Sequence, residues 1–231
     1  MRRLLAPSIV FLLAGLLAPA TTYAQQSLNV QLGGFVPRAE DARTDGDVLV
    51  NNLDFLAFNL SDFTSGSVNG EWEFPLSDRV DASLGLGFST RTVPSVYADY
   101  VEDDRTEIEQ DLKLRVVPFT AAIRFLPLGH DSPVQPYLGA GVGVFSWRYS
   151  EAGEFIDYAD GSVFRDRFVG SGATSGPVVF GGLAFGAGPW AIGGEIRYQS
   201  AQGELPTDKG FSGSKIDLGG FTYSATFRVK F

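Results

Sequence analysis

The final eleven residues, FTYSATFRVKF, alternate without a break. Phe221, Tyr223, Ala225, Phe227, Val229 and Phe231 fall on one parity, and Thr222, Ser224, Thr226, Arg228 and Lys230 fall on the other. A period of two sends these sets to opposite faces of a sheet. One face is aromatic and aliphatic, while the other is hydroxylic and cationic. The segment therefore specifies a strand between two unlike environments.

The opposite end of the chain carries a different signal. Arg2 and Arg3 precede an apolar run from Leu4 to Leu17, followed by Ala18-Pro19-Ala20 and Thr22-Tyr23-Ala24. A basic start, a short apolar stretch and small residues predict a secretory signal peptide over 1–24, with cleavage after Ala24. The apolar stretch is shorter than the roughly 20 residues needed to span a bilayer as a helix. Residues 25–231 are then expected to form one domain. The 231-residue chain has no Cys, which removes disulfides, thiol chemistry, Cys-ligated metals and a lipoprotein anchor. Its net charge of −9 becomes two units more negative once Arg2 and Arg3 leave. That balance argues against nucleic acid as a partner.

Alternation predicts eight strands. LNVQLGGFV places Leu28, Val30 and Leu32 together, and SVNGEWEFPL sets Val68, Trp72, Phe74 and Leu76 against Glu71 and Glu73. VDASLGLGFST sets Leu84, Leu86 and Phe88 against Asp81 and Ser83. A fourth run, from about Ile108 to Leu126, changes parity. Leu112, Leu114 and Val116 are even, whereas Phe119, Ala121, Ile123 and Phe125 are odd. A one-residue slip turns every side chain over, which predicts a β-bulge at Val117-Pro118. VQPYLGAGVGVFSW, a segment near Pro177–Phe185, WAIGGEIRYQ and the C-terminal segment complete the set.

The connections alternate in length. Ser77–Arg79, Gly129–Pro133 and Gly186–Pro189 are short, while Arg38–Phe63, Val93–Glu107, Ser150–Gly172 and Ala201–Ser214 are long. Short turns at one end and long loops at the other match transmembrane barrels of the bacterial outer membrane. A lipocalin-like soluble barrel would keep its apolar face inside. Here the face opposite Trp, Phe, Leu and Val carries Glu71, Glu73, Asp81, Glu195, Arg197, Arg228 and Lys230. The reading is all-β: an eight-stranded antiparallel up-and-down transmembrane β-barrel. Trp72, Phe74, Trp190, Tyr198, Phe227 and Phe231, near strand ends, are expected in aromatic girdles.

With its terminal Phe231 and strings such as VQPYLGAGVGVF and GGEIRYQ, the chain resembles the small outer-membrane β-barrel superfamily of the OmpA, OmpX and OmpW type. The resemblance implies a bacterial outer-membrane location and contact with outer-membrane lipid and lipopolysaccharide. It also implies recognition by the barrel assembly machinery through the last strand, with Tyr223, Phe227, Val229 and Phe231 as the assembly signal. Members of the superfamily include anchors, adhesion proteins, narrow channels and lipid-modifying enzymes, so location follows from it and activity does not.

Candidate chemistry is sparse. His130, the single histidine, falls in the turn LGHDSP beside Asp131 and Ser132, and a solvated turn residue is expected there. Glu71 and Glu73 have a spacing that would suit a glycosidase pair, but on a filled interior face they read as partners of basic residues. Asp41, Asp45 and Gly46 fall at the spacing of calcium-loop positions, yet Arg43 and Asn52 stand where the pattern needs ligands. The run Glu102, Asp103, Asp104, Glu107 and Glu109 reads first as a solvated loop and second as a cation bridge to lipopolysaccharide phosphates. GAGVG at 139–143 lacks the helix start of a nucleotide loop.

No cofactor and no metal is expected. The residues expected to form an interior charge network are Glu71, Glu73, Asp81, Arg124, Glu195, Arg197, Arg228 and Lys230, with Glu195 near Arg228 and Asp81 near Arg124. A barrel of this size has an interior that side chains can fill. The expected function is therefore non-enzymatic, an envelope or surface-interaction role. A narrow channel for small or apolar solutes is the alternative, and a lipid-modifying enzyme comes third.

Overall fold

Backbone polar groups in a lipid-facing sheet need partners on both sides, a condition met only when the sheet closes on itself. The computed structural model of the chain describes residues 25–102, 104–157, 159–206 and 208–231, and the expected signal segment lies outside them. Its strands are β1 (Ser27–Pro37), β2 (Leu56–Ala57), β3 (Ser65–Ser77), β4 (Val80–Val101), β5 (Glu107–Phe125), β6 (Val134–Ile156), β7 (Val163–Ala187), β8 (Trp190–Gln199), β9 (Gln202–Glu204), β10 (Lys215–Asp217) and β11 (Gly220–Lys230). Eight of them pair antiparallel in the order β1-β3-β4-β5-β6-β7-β8-β11, and β11 pairs back onto β1 from Ser27↔Lys230 to Pro37↔Gly220. The barrel is closed.

Its outside is apolar. Leu86, Leu138, Val142 and Ile192 are each 60–68% exposed, in strands whose alternate residues are buried and polar. An apolar exterior of this kind suits lipid. On β5 the band runs from Phe125 to Val117, close to the roughly 9–11 residues with which a tilted strand crosses a bilayer. Trp72 stacks on Phe74 and Trp190 lies against Phe227 toward the short turns, while Tyr198 meets Phe221 toward the long connections.

Two expectations about strand course are corrected. No bulge interrupts β5. Its register with β4 runs unshifted from Val80↔Phe125 to Val96↔Glu109, and its register with β6 is continuous through Val117 and Pro118. The parity change in the sequence marks a change of surroundings. Beyond the lipid band the barrel stands in water, so Ile108, Leu112, Leu114 and Val116 face inward while Glu109, Asp111, Lys113 and Arg115 face out. Pro118 leaves a local mark on the β4 side, where the ladder skips Gly87 and Phe88 opposite Val117 and Pro118. Proline has no N–H to contribute there.

The segments Val93–Glu107 and Ser150–Gly172, expected as loops, are largely strand. The β4–β5 and β6–β7 hairpins extend beyond the lipid band as a four-stranded sheet. Alternation continues through them, with Val93, Ser95 and Tyr97 buried on β4 and Phe145, Trp147 and Tyr149 buried on β6. The other two long connections fold over the mouth. The first holds a short helix, α1 (Val48–Asn52), and β2, while the last holds the β9–β10 hairpin.

Candidate functional site

The barrel interior is closed at two levels by unlike chemistry. The lower closure is ionic. Glu71 and Glu73 project inward from β3, Arg124 from β5, Glu195 and Arg197 from β8, and Arg228 from β11, and all six are buried. Arg124 lies at the centre, 2.9 Å from Glu71, 3.8 Å from Glu195 and paired with Glu73. Arg197 bridges Glu195 at 2.8 Å and Glu71 at 3.3 Å, and Arg228 lies 2.7 Å from Glu73. Three carboxylates thus meet three guanidinium groups, so the layer is formally neutral. Buried charges persist only when paired and hydrogen-bonded.

Neutral neighbours complete the layer. Gln31 donates to Glu71 and Glu195, Ser83 donates to Glu71, Ser27 and Asn29 donate to Glu73, and the Tyr137 hydroxyl donates to Glu195. The Arg124 guanidinium sits 4.4 Å from the centroid of the Tyr137 ring, and Arg197 sits 4.7 Å from that of Phe180. The Phe180 ring occupies the space over Gly139, where an added Cβ would lie within 2.2 Å of it. Glycine at 139 is what lets this ring lie under the arginines.

Of the two expected proximities, that of Glu195 to Arg228 is not formed, and that of Asp81 to Arg124 is formed without an ion pair. Glu195 stands opposite Ser224 and Arg228 opposite Ala191, four residues apart along the ladder, so Arg228 turns to Glu73 across β1. Asp81 stands opposite Arg124 in register, but its carboxylate pairs with His130 at 2.6 Å. His130 is therefore no free turn residue. Its other ring nitrogen contacts the Asp78 carbonyl at 2.8 Å. Two acceptors facing both ring nitrogens call for the doubly protonated imidazolium. The hydrogen bond to Asp81 accordingly holds the His130 pKa above its ordinary value of 6.5, against partial burial. Lys230 is half-buried beside this turn, with Nζ 3.3 Å from the His130 carbonyl.

The upper closure is apolar and is set by residues the alternation did not single out. Val48 and Leu49 of α1 join Leu56, Phe63, Ile216 and Leu218 against Leu112, Phe145 and Tyr149 of the barrel wall. The helix starts at Asp47, whose carboxylate accepts from the Leu49 and Val50 amides at 2.9 and 3.3 Å. The same carboxylate takes both arms of Arg43 at 3.0 Å, and Arg43 also donates to the Asp217 carbonyl. Arg38 holds the Asp217 side chain at 3.1 Å. First and last connections are thereby clamped together.

A second tie reaches the wall, where Asn52 donates to Glu151 at 2.8 Å and Tyr149 donates to it at 2.9 Å. Burial without a cation pushes the Glu151 pKa up, and the same burial, with Glu151 beside it, pushes up Tyr149. Between the two closures lies a cavity of about 30 Å³ touched by Gln31, Ser67, Asn69, Glu71, Arg197 and Thr222 on one side and by Phe35, Leu86, Phe88 and Val116 on the other. That volume suits one or two water molecules.

The remaining expected positions are plain. Tyr223, Phe227 and Phe231 are exposed on the lipid-facing side or just beyond it, and Val229 is half-buried between Leu28 and Trp190. The Phe231 amide donates to the Gln26 carbonyl at 2.9 Å. Asp41 and Asp45 do not converge on a cation site, and among the described residues no cluster of three metal-ligating side chains occurs. Asp103 of the acidic run lies outside the described residues, while Asp104 bonds back to Thr106.

No family model and no curated protein matches the chain. Solved structures do. The outer membrane protein OprG from Pseudomonas aeruginosa aligns over 90% of this chain and 97% of its own, at 14% identity and a TM-score of 0.51. Neisserial surface protein A (NspA) aligns over 91% and 100% at 15% identity and 0.49, and the outer membrane protein W of E. coli over 91% and 100% at 13% and 0.43. Together with the lipid-facing exterior, the OprG match identifies the fold as that of a small eight-stranded outer-membrane barrel.

Proposed function

We propose that this barrel is a non-enzymatic surface-interaction protein of the outer membrane, closed to solutes, which presents its extended hairpins for contact outside the cell. The observation that carries the reading is the double closure, an ionic layer below and an apolar plug above, with room between them for little more than water. Passage through such an interior would require both to come apart.

The extended sheet is where contact becomes available. From Val163 to Gly176, β7 pairs with β6 and not with β8; the last connection packs along its inner part, with Phe211 against Phe168 and Leu205 beside Gly170, and the outermost stretch from Val163 to Arg167 is exposed. Edge strands recruit extended segments by adding a strand. A groove of about 590 Å³, touched by Glu109, Asp111, Arg165 and Asp166, crosses the outward face of the same sheet. A catalytic reading gains nothing from His130, whose two ring nitrogens are both engaged at the short-turn end. Assembly through Tyr223, Phe227, Val229 and Phe231 belongs to the same proposal.

One observation favours the channel alternative. The skipped rungs at Gly87 and Phe88 thin the wall beside the central cavity, which Leu86, Phe88 and Pro118 also touch. An apolar solute could enter there sideways only if the cavity enlarged well beyond its present volume. Conductance of the refolded protein in planar bilayers separates the readings. The closed barrel gives no discrete openings, and regular single-channel steps would refute it.

A further inference from the structure

We propose that Arg115, Arg148 and Lys113 form an external docking site for the phosphate groups of outer-leaflet glycolipid, the phosphorylated glucosamine headgroup of lipopolysaccharide. This rests on the outer-membrane placement of the barrel and names what its outer rim holds. The outward stripe of β5 is layered. Phe125, Ile123 and Phe119 face lipid, Arg115 and Lys113 follow directly above, and Asp111 and Glu109 come last. The basic step thus falls where the hydrocarbon ends and headgroups begin, on the side of the long connections.

The pairing makes the site specific. Arg115 stands directly opposite Arg148 across the β5–β6 ladder, on the same outward face. Like charges directly opposite each other destabilise a sheet. Neither arginine, nor Lys113, takes part in any of the ion pairs among the described residues, although the surface has carboxylates to spare. Arg165, farther out on β7, does find one in Glu154 at 2.8 Å.

The neighbouring rungs offer hydroxyl groups and no acid. Thr90 stands opposite Arg115, Thr92 opposite Lys113 and Ser171 opposite Arg148, all exposed. The nearest outward carboxylate along the strand is Asp111, one same-face step above Lys113, about 7 Å along the strand. A phosphate lying between the two guanidinium groups converts their repulsion into charge-assisted hydrogen bonds, which the planar guanidinium makes in bidentate form. Lys113 adds a third positive charge from one step above. The site faces sideways into the leaflet and is separate from the interior closures.

The test uses the full chain refolded into phosphatidylcholine nanodiscs and titrated with bisphosphorylated lipid A, with bound lipid read by native mass spectrometry. Folding is checked in parallel by heat-modifiable migration. The double variant Arg115→Gln, Arg148→Gln is expected to bind at least about tenfold more weakly, while Arg167→Gln, farther out on β7, leaves binding unchanged. Dephosphorylated lipid A should bind the native protein and the double variant equally weakly, and millimolar inorganic phosphate should not displace lipid A.

Undiminished binding by the folded double variant would overturn the site. An equal loss in Arg167→Gln would reduce it to general surface charge, and displacement by inorganic phosphate would make it a free-anion site; either result overturns the proposal. Failure of the native chain to insert into lipid would instead overturn the membrane placement on which the site rests.

Discussion

Arg124→Met tests the ionic closure at its centre. The native layer sets Glu71, Glu73 and Glu195 against Arg124, Arg197 and Arg228, with Arg124 fully buried. Methionine fills much of the same volume and leaves three carboxylates facing two guanidinium groups. Glu73 keeps Arg228, and Glu71 and Glu195 must share Arg197. Breaking a buried pair by removing one partner costs about 3–5 kcal/mol, because the abandoned charge stays buried. The stacking of Arg124 on Tyr137 is lost with it. At about 1.4 kcal/mol per decade, the folded-to-unfolded ratio should fall by two to three and a half orders of magnitude. Reversible urea unfolding in lipid vesicles, followed by tryptophan fluorescence, measures this. Adding Glu195→Gln removes the surplus negative charge, leaves Glu71 with Arg197 and Glu73 with Arg228, and should restore more than half of the loss. A loss below about 1 kcal/mol for Arg124→Met would mean that water screens the layer, and the dry ionic closure would be refuted.

Three further outcomes follow from the same structure. Leu84→Arg and Ile192→Arg, both on the lipid-facing side, should each cost about 2–4 kcal/mol near the bilayer midplane, and neutral effects in lipid unfolding would reverse the facing of β4 and β8. Glu151 has its pKa raised by burial, so its ionisation opposes folding: stability is greatest below about 4.5 and falls as pH rises through the folded pKa. Glu151→Gln should abolish that fall and slow amide exchange in α1 at neutral pH, and unchanged or faster exchange would contradict this. His130 has its pKa raised by Asp81, so its contribution is complete below about 6.5 and lost as pH rises through the folded value. NMR titration of this single imidazole should show the raised pKa collapse in Asp81→Asn, and an unmoved titration would break the pairing.

Much of the barrel is legible from parity alone. The outward set of β11 and the inward Glu71, Glu73, Arg197 and Arg228 follow from a period of two and one unlike pair of environments. The limit of that reasoning shows in β5. Parity reports which face is apolar, and a strand that leaves lipid for water swaps the meaning of inside and outside without moving a residue. Leu112, Leu114 and Val116 therefore look like a slip and are the wall of the apolar plug. Partner choice is also out of reach. Arg228 reaches Glu73 across β1, and His130 reaches Asp81 from a turn 49 positions away, because barrel curvature brings together side chains that the ladder keeps apart. Asp47 carried a faint signal as a capping residue ahead of VLVNN, but its clamp on Arg43 and the backbone of Asp217 needs the two connections to meet in space.

Closure of the interior is tested most directly by thiol accessibility, since the chain contains no other cysteine. Ser67 lies on the cavity between the two closures and is buried, whereas Ser146 faces outward at the upper edge of the lipid band, opposite Val117. In membranes holding the folded protein, a small charged thiol reagent should modify Ser146→Cys readily. It should leave Ser67→Cys untouched until the protein is unfolded in urea. Labelling of folded Ser67→Cys at a rate close to that of Ser146→Cys would show an open, water-filled lumen and contradict the closed barrel.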